Sequence, residues 1–216
     1  MKNIVCVISG RGSNLEAILR AEREQQWAAQ LGARVSAVIS NRADALGLAI
    51  AADYGVATQV LDHGAFSSRA AFDTALAAVI DRYEPALVVL AGFMRVLTPA
   101  FAARYQERLI NIHPSLLPAF AGLHTHQRAA EMGVRVHGTT VHFVTGELDA
   151  GPIIAQAALA VGPQEAADAL AARVLKLEHE LLPRCIRWLI EGRVRLEGQR
   201  VVTDGIDPAL LLRVAA

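Results

Sequence analysis

Residues 4–15 read Ile4-Val5-Cys6-Val7-Ile8-Ser9-Gly10-Arg11-Gly12-Ser13-Asn14-Leu15. The five apolar residues Ile4–Ile8 form a run of the kind a buried strand makes. Small residues turn the chain at Ser9–Asn14. Leu15–Trp27 then carries Leu15, Ile18, Leu19 and Ala21 near one face, which predicts a helix. Strand, glycine turn, helix is the opening unit of an open α/β sheet.

Working outward, the pattern repeats. Val35–Ile39 reads as a second strand and Ala45–Ala52 as a second helix with Asp44 as N-cap. Ala57–Leu61 is a third strand. Ser68–Arg82 is a helix capped by Ser67 or Ser68. Leu87–Ala91 is a fourth strand, apolar throughout, as parallel strands covered on both faces are. Repeated βα units predict an α/β fold: a Rossmann-like, doubly wound, mostly parallel sheet in a single domain, with right-handed crossovers.

The second half is less regular. Arg108–Ile112 reads as a strand ending in a proline-rich turn, and Val134–Val144 as a strand of antiparallel type. Ile153–Val161 is another strand. Ala166–Glu191 reads as one helix with the stripe Leu170, Val174, Leu177 and Leu181, kinked or restarted at Pro183. Val194–Leu196 and Val201–Val202 around Gly198 suggest a terminal hairpin. The expected organisation is a catalytic domain over 1–192 and a short extension, 193–216, packed on it.

Composition sets the class. The chain has 216 residues, 53% apolar and 19% charged, enough to bury a sizeable core. Lys+Arg 21 balance Asp+Glu 21, so no overall basic excess points to nucleic acid. No apolar run approaches a membrane span. Two cysteines, Cys6 and Cys185, build neither a disulfide framework nor a four-cysteine zinc site. The expectation is a soluble, cytoplasmic protein, monomer or homodimer, with small-molecule ligands and neither nucleic acid nor membrane as partner.

The glycine loop is the wrong kind for a dinucleotide. The G-x-G-x-x-G fingerprint needs a third glycine where Leu15 stands, and no lysine follows as in a P-loop. Gly12, Ser13 and Asn14 at a helix start suit a single phosphate. A tight turn without a ligand is the alternative, and the loop alone does not separate the two.

Five of the seven histidines fall between His113 and His142. His124-Thr125-His126 suggests a metal pair, but Glu131, Glu147 and Asp149 lack zinc spacing, so no metal is expected. His137 and His142 lie five apart on a strand and face opposite sides; each alone reads as structural. Asn111-Ile112-His113 is sharper. Alternation puts Asn111 and His113 on one face at the carboxyl end of a strand, where open α/β sheets bind ligands. Pro114 and Pro118 fix the exit of the chain. An amide beside an imidazole suits a developing oxyanion; a satisfied polar pair at a strand end is the alternative. Asp149, in the glycine-bracketed loop Thr145-Gly146-Glu147-Leu148-Asp149-Ala150-Gly151-Pro152, would raise the pKa of a histidine it paired with.

Taken together, SGRGSN (9–14), AGFMRVL (91–97), LINIHPSLLP (109–118), GLHTH (122–126), HGTTVHFVTGELDAGPI (137–153) and LEHELLP (177–183) resemble the phosphoribosylglycinamide formyltransferases. These are the glycinamide-ribonucleotide branch of the folate-dependent formyltransferases of purine synthesis. The resemblance runs from Lys2 to about Gly192. The Asn-x-His-Pro segment with its downstream Asp is common to the superfamily, including its hydrolases; the early Gly-Ser-Asn loop, GFMR and LEH point to the branch.

The resemblance implies roles residue by residue. Gly12, Ser13 and Asn14 hold the ribonucleotide phosphate, and Glu178 binds the glycinamide. Arg69 contacts the folate. Met94, Arg95, Val96 and Leu97 line the pterin pocket, with Asn111, and Thr145, Gly146, Glu147, Leu148 and Asp149 close over it. Asn111, His113 and Asp149 are the catalytic triad. The co-substrate is 10-formyltetrahydrofolate, with no metal. Glu178, close to the apolar stripe of its helix, needs a partner on physical grounds too; a glutamate at the helix edge reaching water is the alternative. Two positions depart from the family's usual residues: Arg11 between the glycines, and Ala121 before Gly122.

Three rivals remain. A 10-formyltetrahydrofolate hydrolase would carry an extra N-terminal regulatory domain, for which a first strand at residue 3 or 4 leaves no room. A methionyl-tRNA formyltransferase would carry an extra C-terminal domain and a basic footprint. A non-catalytic nucleotide- or folate-binding regulator would keep the glycine loop but not need Asn111, His113 and Asp149 together.

Overall fold

The computed structural model describes residues 1–215. They fall into two compact units, Met1–Ile110 and Asn111–Ala216. The fold class is the expected one, α/β with a mostly parallel sheet flanked by helices.

The first unit runs β1 (Lys2–Ile8), α1 (Ser13–Glu24), α2 (Trp27–Leu31), β2 (Ala33–Ser40), α3 (Leu46–Asp53), β3 (Ala57–Val60), α4 (Arg69–Asp81), β4 (Pro85–Leu90), α5 (Pro99–Arg104) and the start of β5 (Leu109–His113). Its strands lie in the order β4-β1-β2-β3, all parallel. Ile4 through Ile8 are each fully buried, so both faces of β1 are covered. That is why the run lacks polar alternation.

The second unit holds the end of β5, then α6 (Thr125–Glu131), β6 (Val136–Phe143), β7 (Ile153–Ala160), α7 (Ala167–Ile190), β8 (Val194–Glu197), β9 (Arg200–Thr203), α8 (Pro208–Leu211) and β10 (Leu212–Ala215). The order is β10-β7-β6-β5. β6 and β7 are antiparallel, whereas β10 joins β7 in parallel. α7 packs on β6 and β7, and β8 and β9 form the hairpin expected around Gly198.

Several local expectations need correction. Asp44 does not cap α3: Ala45 holds the cap position without a side-chain bond, and the Asp44 carboxylate is held by Arg42 at 2.6 Å. Of the two serines, Ser68 caps α4, accepting the Ala71 N–H at 3.1 Å. The first helix stops at Glu24 because Gln26 is left-handed (φ 50°), and the buried Trp27 begins α2. Of the two outcomes expected at Pro183, a restart does not occur, since α7 runs through it. α5 and α6 are short helices that the apolar periodicity does not announce.

Candidate active site

β5 ends in Asn111-Ile112-His113, and the turn that follows is pinned by side chains of the neighbouring strands. Thr139 donates its hydroxyl to the His113 carbonyl (2.9 Å), and Thr140 to that of Ser115 (2.7 Å). The Leu117 N–H in turn donates to Thr140 Oγ1 at 3.0 Å, and Gln156 Nε2 donates to the Leu117 carbonyl at 2.9 Å. These bonds give the backbone groups of the turn their partners. His113 is thereby held at the strand's carboxyl end with 6% exposure.

Asn111, His113 and Asp149 are brought together. His113 Nδ1 lies 3.4 Å from Asp149 Oδ2, with the Asp149 side chain only 9% exposed. The other ring nitrogen, Nε2, donates to the Phe120 carbonyl at 3.0 Å. Both ring nitrogens thus face oxygen atoms, one a carbonyl and one a carboxylate. Asp149 has φ 51°, and its Oδ2 accepts the Gly122 N–H at 2.9 Å. A left-handed backbone turns the carboxylate inward from a loop whose residues Thr145–Leu148 are exposed.

His142 joins them. Its Nδ1–H donates to the Phe143 carbonyl (2.9 Å), which leaves Nε2 as an acceptor 3.3 Å from Asn111 Nδ2. That contact settles which end of the Asn111 amide presents its N–H groups. Nε2 of His142 is also 4.0 Å from Asp149 Oδ1. Burial pushes the His142 pKa below its ordinary value, so the ring is neutral and able to accept. Sequence reasoning took this residue as structural. His137 instead pairs with His126 (Nε2 to Nδ1 3.2 Å) and meets the Phe120 ring edge-on at 5.7 Å.

The other candidates are placed as follows. Glu178 is buried on α7, 7% exposed. In the first unit, Gly12 caps α1 with φ 78°, Ser13 opens the helix and Asn14 is buried at 8% exposure. A Cβ on Gly12 would overlap the Gly47 backbone of α3, so glycine is required there twice over, by φ and by space. Arg69 is exposed at the start of α4. Met94–Leu97 follows β4, with Met94 71% and Val96 45% exposed. The Met94 N–H donates to Ser9 Oγ (2.8 Å), and Ser9 donates to Asn41 Oδ1 (2.7 Å), which ties this segment to the strand end that precedes the glycine loop. Arg11 is exposed. Among the described residues, no group of three His, Cys, Asp or Glu side chains is placed to hold a metal ion, and no helix is long and apolar enough to cross a membrane.

An amide, an imidazole and a buried carboxylate gather by the carboxyl end of β5, the place where open α/β sheets bind ligands. Residues 2–186, spanning both units, match the model of the formyl transferase family. The chain belongs to that family and is a folate-dependent formyltransferase. It is 49% identical to the phosphoribosylglycinamide formyltransferase of Escherichia coli over 210 residues, 94% of this chain and 97% of that one. It is 40% identical to the trifunctional purine biosynthetic protein adenosine-3 of Bos taurus over 193 residues, 89% of this chain and 19% of that protein. A solved structure of the phosphoribosylglycinamide formyltransferase from Coxiella burnetii superposes with TM-score 0.89 at 45% identity, covering 99% of this chain and 98% of its own.

Proposed function

We propose that the chain moves the formyl group of 10-formyltetrahydrofolate onto the amine of 5-phosphoribosylglycinamide. The products are 5-phosphoribosyl-N-formylglycinamide and tetrahydrofolate, in the synthesis of purine nucleotides. The observation that carries this reading is the His113–Asp149 approach at 3.4 Å beside the Asn111 amide. The similarity to phosphoribosylglycinamide formyltransferases over nearly the whole chain supports it.

In this reading the neutral amine attacks the formyl carbon and forms a tetrahedral intermediate. Asn111, whose amide is oriented by His142, donates an N–H to the oxyanion. His113, anchored at Nε2 by Phe120, uses the Nδ1–H that also faces Asp149. Asp149 holds the orientation of the His113 ring from the Nδ1 side. It also relays a proton, through water, from the attacking amine to the leaving folate nitrogen. The C–N bond to folate then breaks. Gly12, Ser13 and Asn14 take the phosphate at the start of α1, and Glu178 accepts from the glycinamide. Arg69, Met94–Leu97 and Thr145–Asp149 take the folate, with the exposed Met94 and Val96 side chains offering apolar surface to its flat ring. No step requires a metal.

The test is a matched pair of assays on 10-formyltetrahydrofolate, with and without phosphoribosylglycinamide. Tetrahydrofolate release only in the presence of the ribonucleotide is the expected result. Equal release in both would mean a hydrolase that uses the same three residues. Release in neither would return the chain to a binding role.

A further inference from the structure

We propose that Arg128 is a positioning residue for the His113–Asp149 pair. The proposal rests on the reading of that pair as catalytic. The segment 119–124 touches both members: the Phe120 carbonyl holds His113 Nε2, and the Gly122 N–H holds Asp149 Oδ2. This segment has no regular structure of its own. Phe120 (φ 56°), Gly122 (φ 81°) and His124 (φ 57°) are left-handed at every second residue. For the two non-glycine residues this backbone is unfavourable and must be imposed from outside.

Much of that imposition comes from one side chain. Arg128 Nη1 donates to the Ala121 carbonyl at 2.7 Å and approaches that of Leu123 at 3.5 Å. Its guanidinium lies 5.5 Å from the centre of the Phe120 ring. Ser115 Oγ secures the near end through the Ala119 carbonyl at 2.6 Å. The carbonyls of 119, 120, 121 and 123 are therefore all engaged, with Arg128 taking two of them.

Arg128 is not where its own helix would favour it. It sits on α6, seven residues long, and reaches back over the amino-terminal end, where the helix dipole disfavours a cation. The carbonyl collar accounts for the placement. Arg128 is exposed and fills no core. Its removal should therefore loosen the collar without unfolding the chain. The consequence falls on His113, whose Nε2 anchor decides which ring nitrogen faces Asp149.

Arg128→Ala and Arg128→Lys in the full chain test this, with two readouts. Steady-state kinetics with 10-formyltetrahydrofolate and phosphoribosylglycinamide should show kcat of Arg128→Ala down about tenfold; a shift of the reacting group by a full ångström costs about 10²-fold. Both KM values should stay within about twofold, the pattern of an interaction expressed in the transition state. Arg128→Lys, which can still donate to a carbonyl, should recover part of the loss. Nitrogen-15 NMR of the imidazoles should show the exchange-protected Nε2–H of His113 in the wild type and lose it in Arg128→Ala, with Tm unchanged. A wild-type kcat and an unaltered His113 signal in Arg128→Ala overturn the proposal. So does a fall in kcat that comes with a raised KM and a lowered Tm. If the wild type itself shows no ribonucleotide-dependent transfer, the formyl-transfer reading fails. The NMR signal still decides whether Arg128 holds His113.

Discussion

Asn111, His113, Asp149 and His142 form a group in which each side chain limits the freedom of another. The Phe143 carbonyl fixes the tautomer of His142, the His142 lone pair orients the Asn111 amide, and Phe120 and Asp149 divide the two nitrogens of His113. Losing one oxyanion donor typically costs about 10²–10³-fold in rate. His113→Ala and Asp149→Asn are each expected to reduce kcat by about that factor with the far-UV CD unchanged. Wild-type turnover in either would remove its assigned role. His142 acts one bond further out. His142→Phe keeps the volume but gives the Asn111 amide no acceptor, so its kcat should fall about tenfold, less than loss of a direct donor. His142→Gln, with an acceptor oxygen, should fall less than that; equal losses in Phe and Gln would mean that packing, not the lone pair, matters. At this scale the sequence was legible where alternation applied. Asn111 and His113 sit two apart on a strand, and Asp149 sits between glycines. His142 was not, because an imidazole on a strand carries no mark of which neighbour it will meet.

At the scale of elements, the long apolar strands and helices were readable because each satisfies one periodicity. The misreadings come from competition. Pro183 costs a helix interior about 3 kcal/mol. Leu181, Leu182, Cys185 and Ile186 flank it, each at most 1% exposed, and burying one such aliphatic side chain is worth about 1.5–3 kcal/mol. Packing outweighs the proline, so α7 continues. Asp44 had the right chemistry for a cap but found Arg42 first. α5 and α6 are too short for a stripe; a local cap marks α5, where Thr98 Oγ1 accepts the Phe101 N–H at 3.3 Å, whereas α6 starts at His124 without a side-chain cap. The glycine-bracketed loop before β7 has its own stringency. A Cβ at Gly151 would overlap the Phe143 carbonyl oxygen, backbone against backbone. Overpacking of this kind costs about 1–3 kcal/mol. Gly151→Ala should therefore lower Tm by about 2–12 °C, at about 2–4 °C per kcal/mol for a chain of this size. An unchanged Tm would show that the loop yields freely.

For the whole molecule, the balance of 21 basic and 21 acidic residues leaves pH to act through buried groups. His137 has its pKa pushed down to about 4, first by burial and then by the nearby His126 and His113. Burial likewise lowers His126 and His142. A histidine held neutral in the folded state, against an ordinary value of about 6.5 when unfolded, binds fewer protons folded than unfolded. Stability contributed this way is complete above pH about 6.5 and is lost as pH falls toward about 4. Tm should decline over that window, and His137→Phe should flatten the decline. A decline of unchanged slope in that variant would place the acid sensitivity elsewhere. The chain's class and fold were legible from its repeated βα units. What was not legible was how residues distant in sequence share one carbonyl or one lone pair, since composition and periodicity carry no information on that.

Gly151 has a consequence for how this protein would look in a saturation mutagenesis library scored by growth. One residue, Ala150, separates it from Asp149, and nearly every side chain at 151 must displace the Phe143 carbonyl, which also holds the Nδ1–H of His142. Such a library would rank a residue with no reactive group beside the carboxylate itself. Only purified variants, compared for folding and turnover separately, would tell the two kinds of intolerance apart.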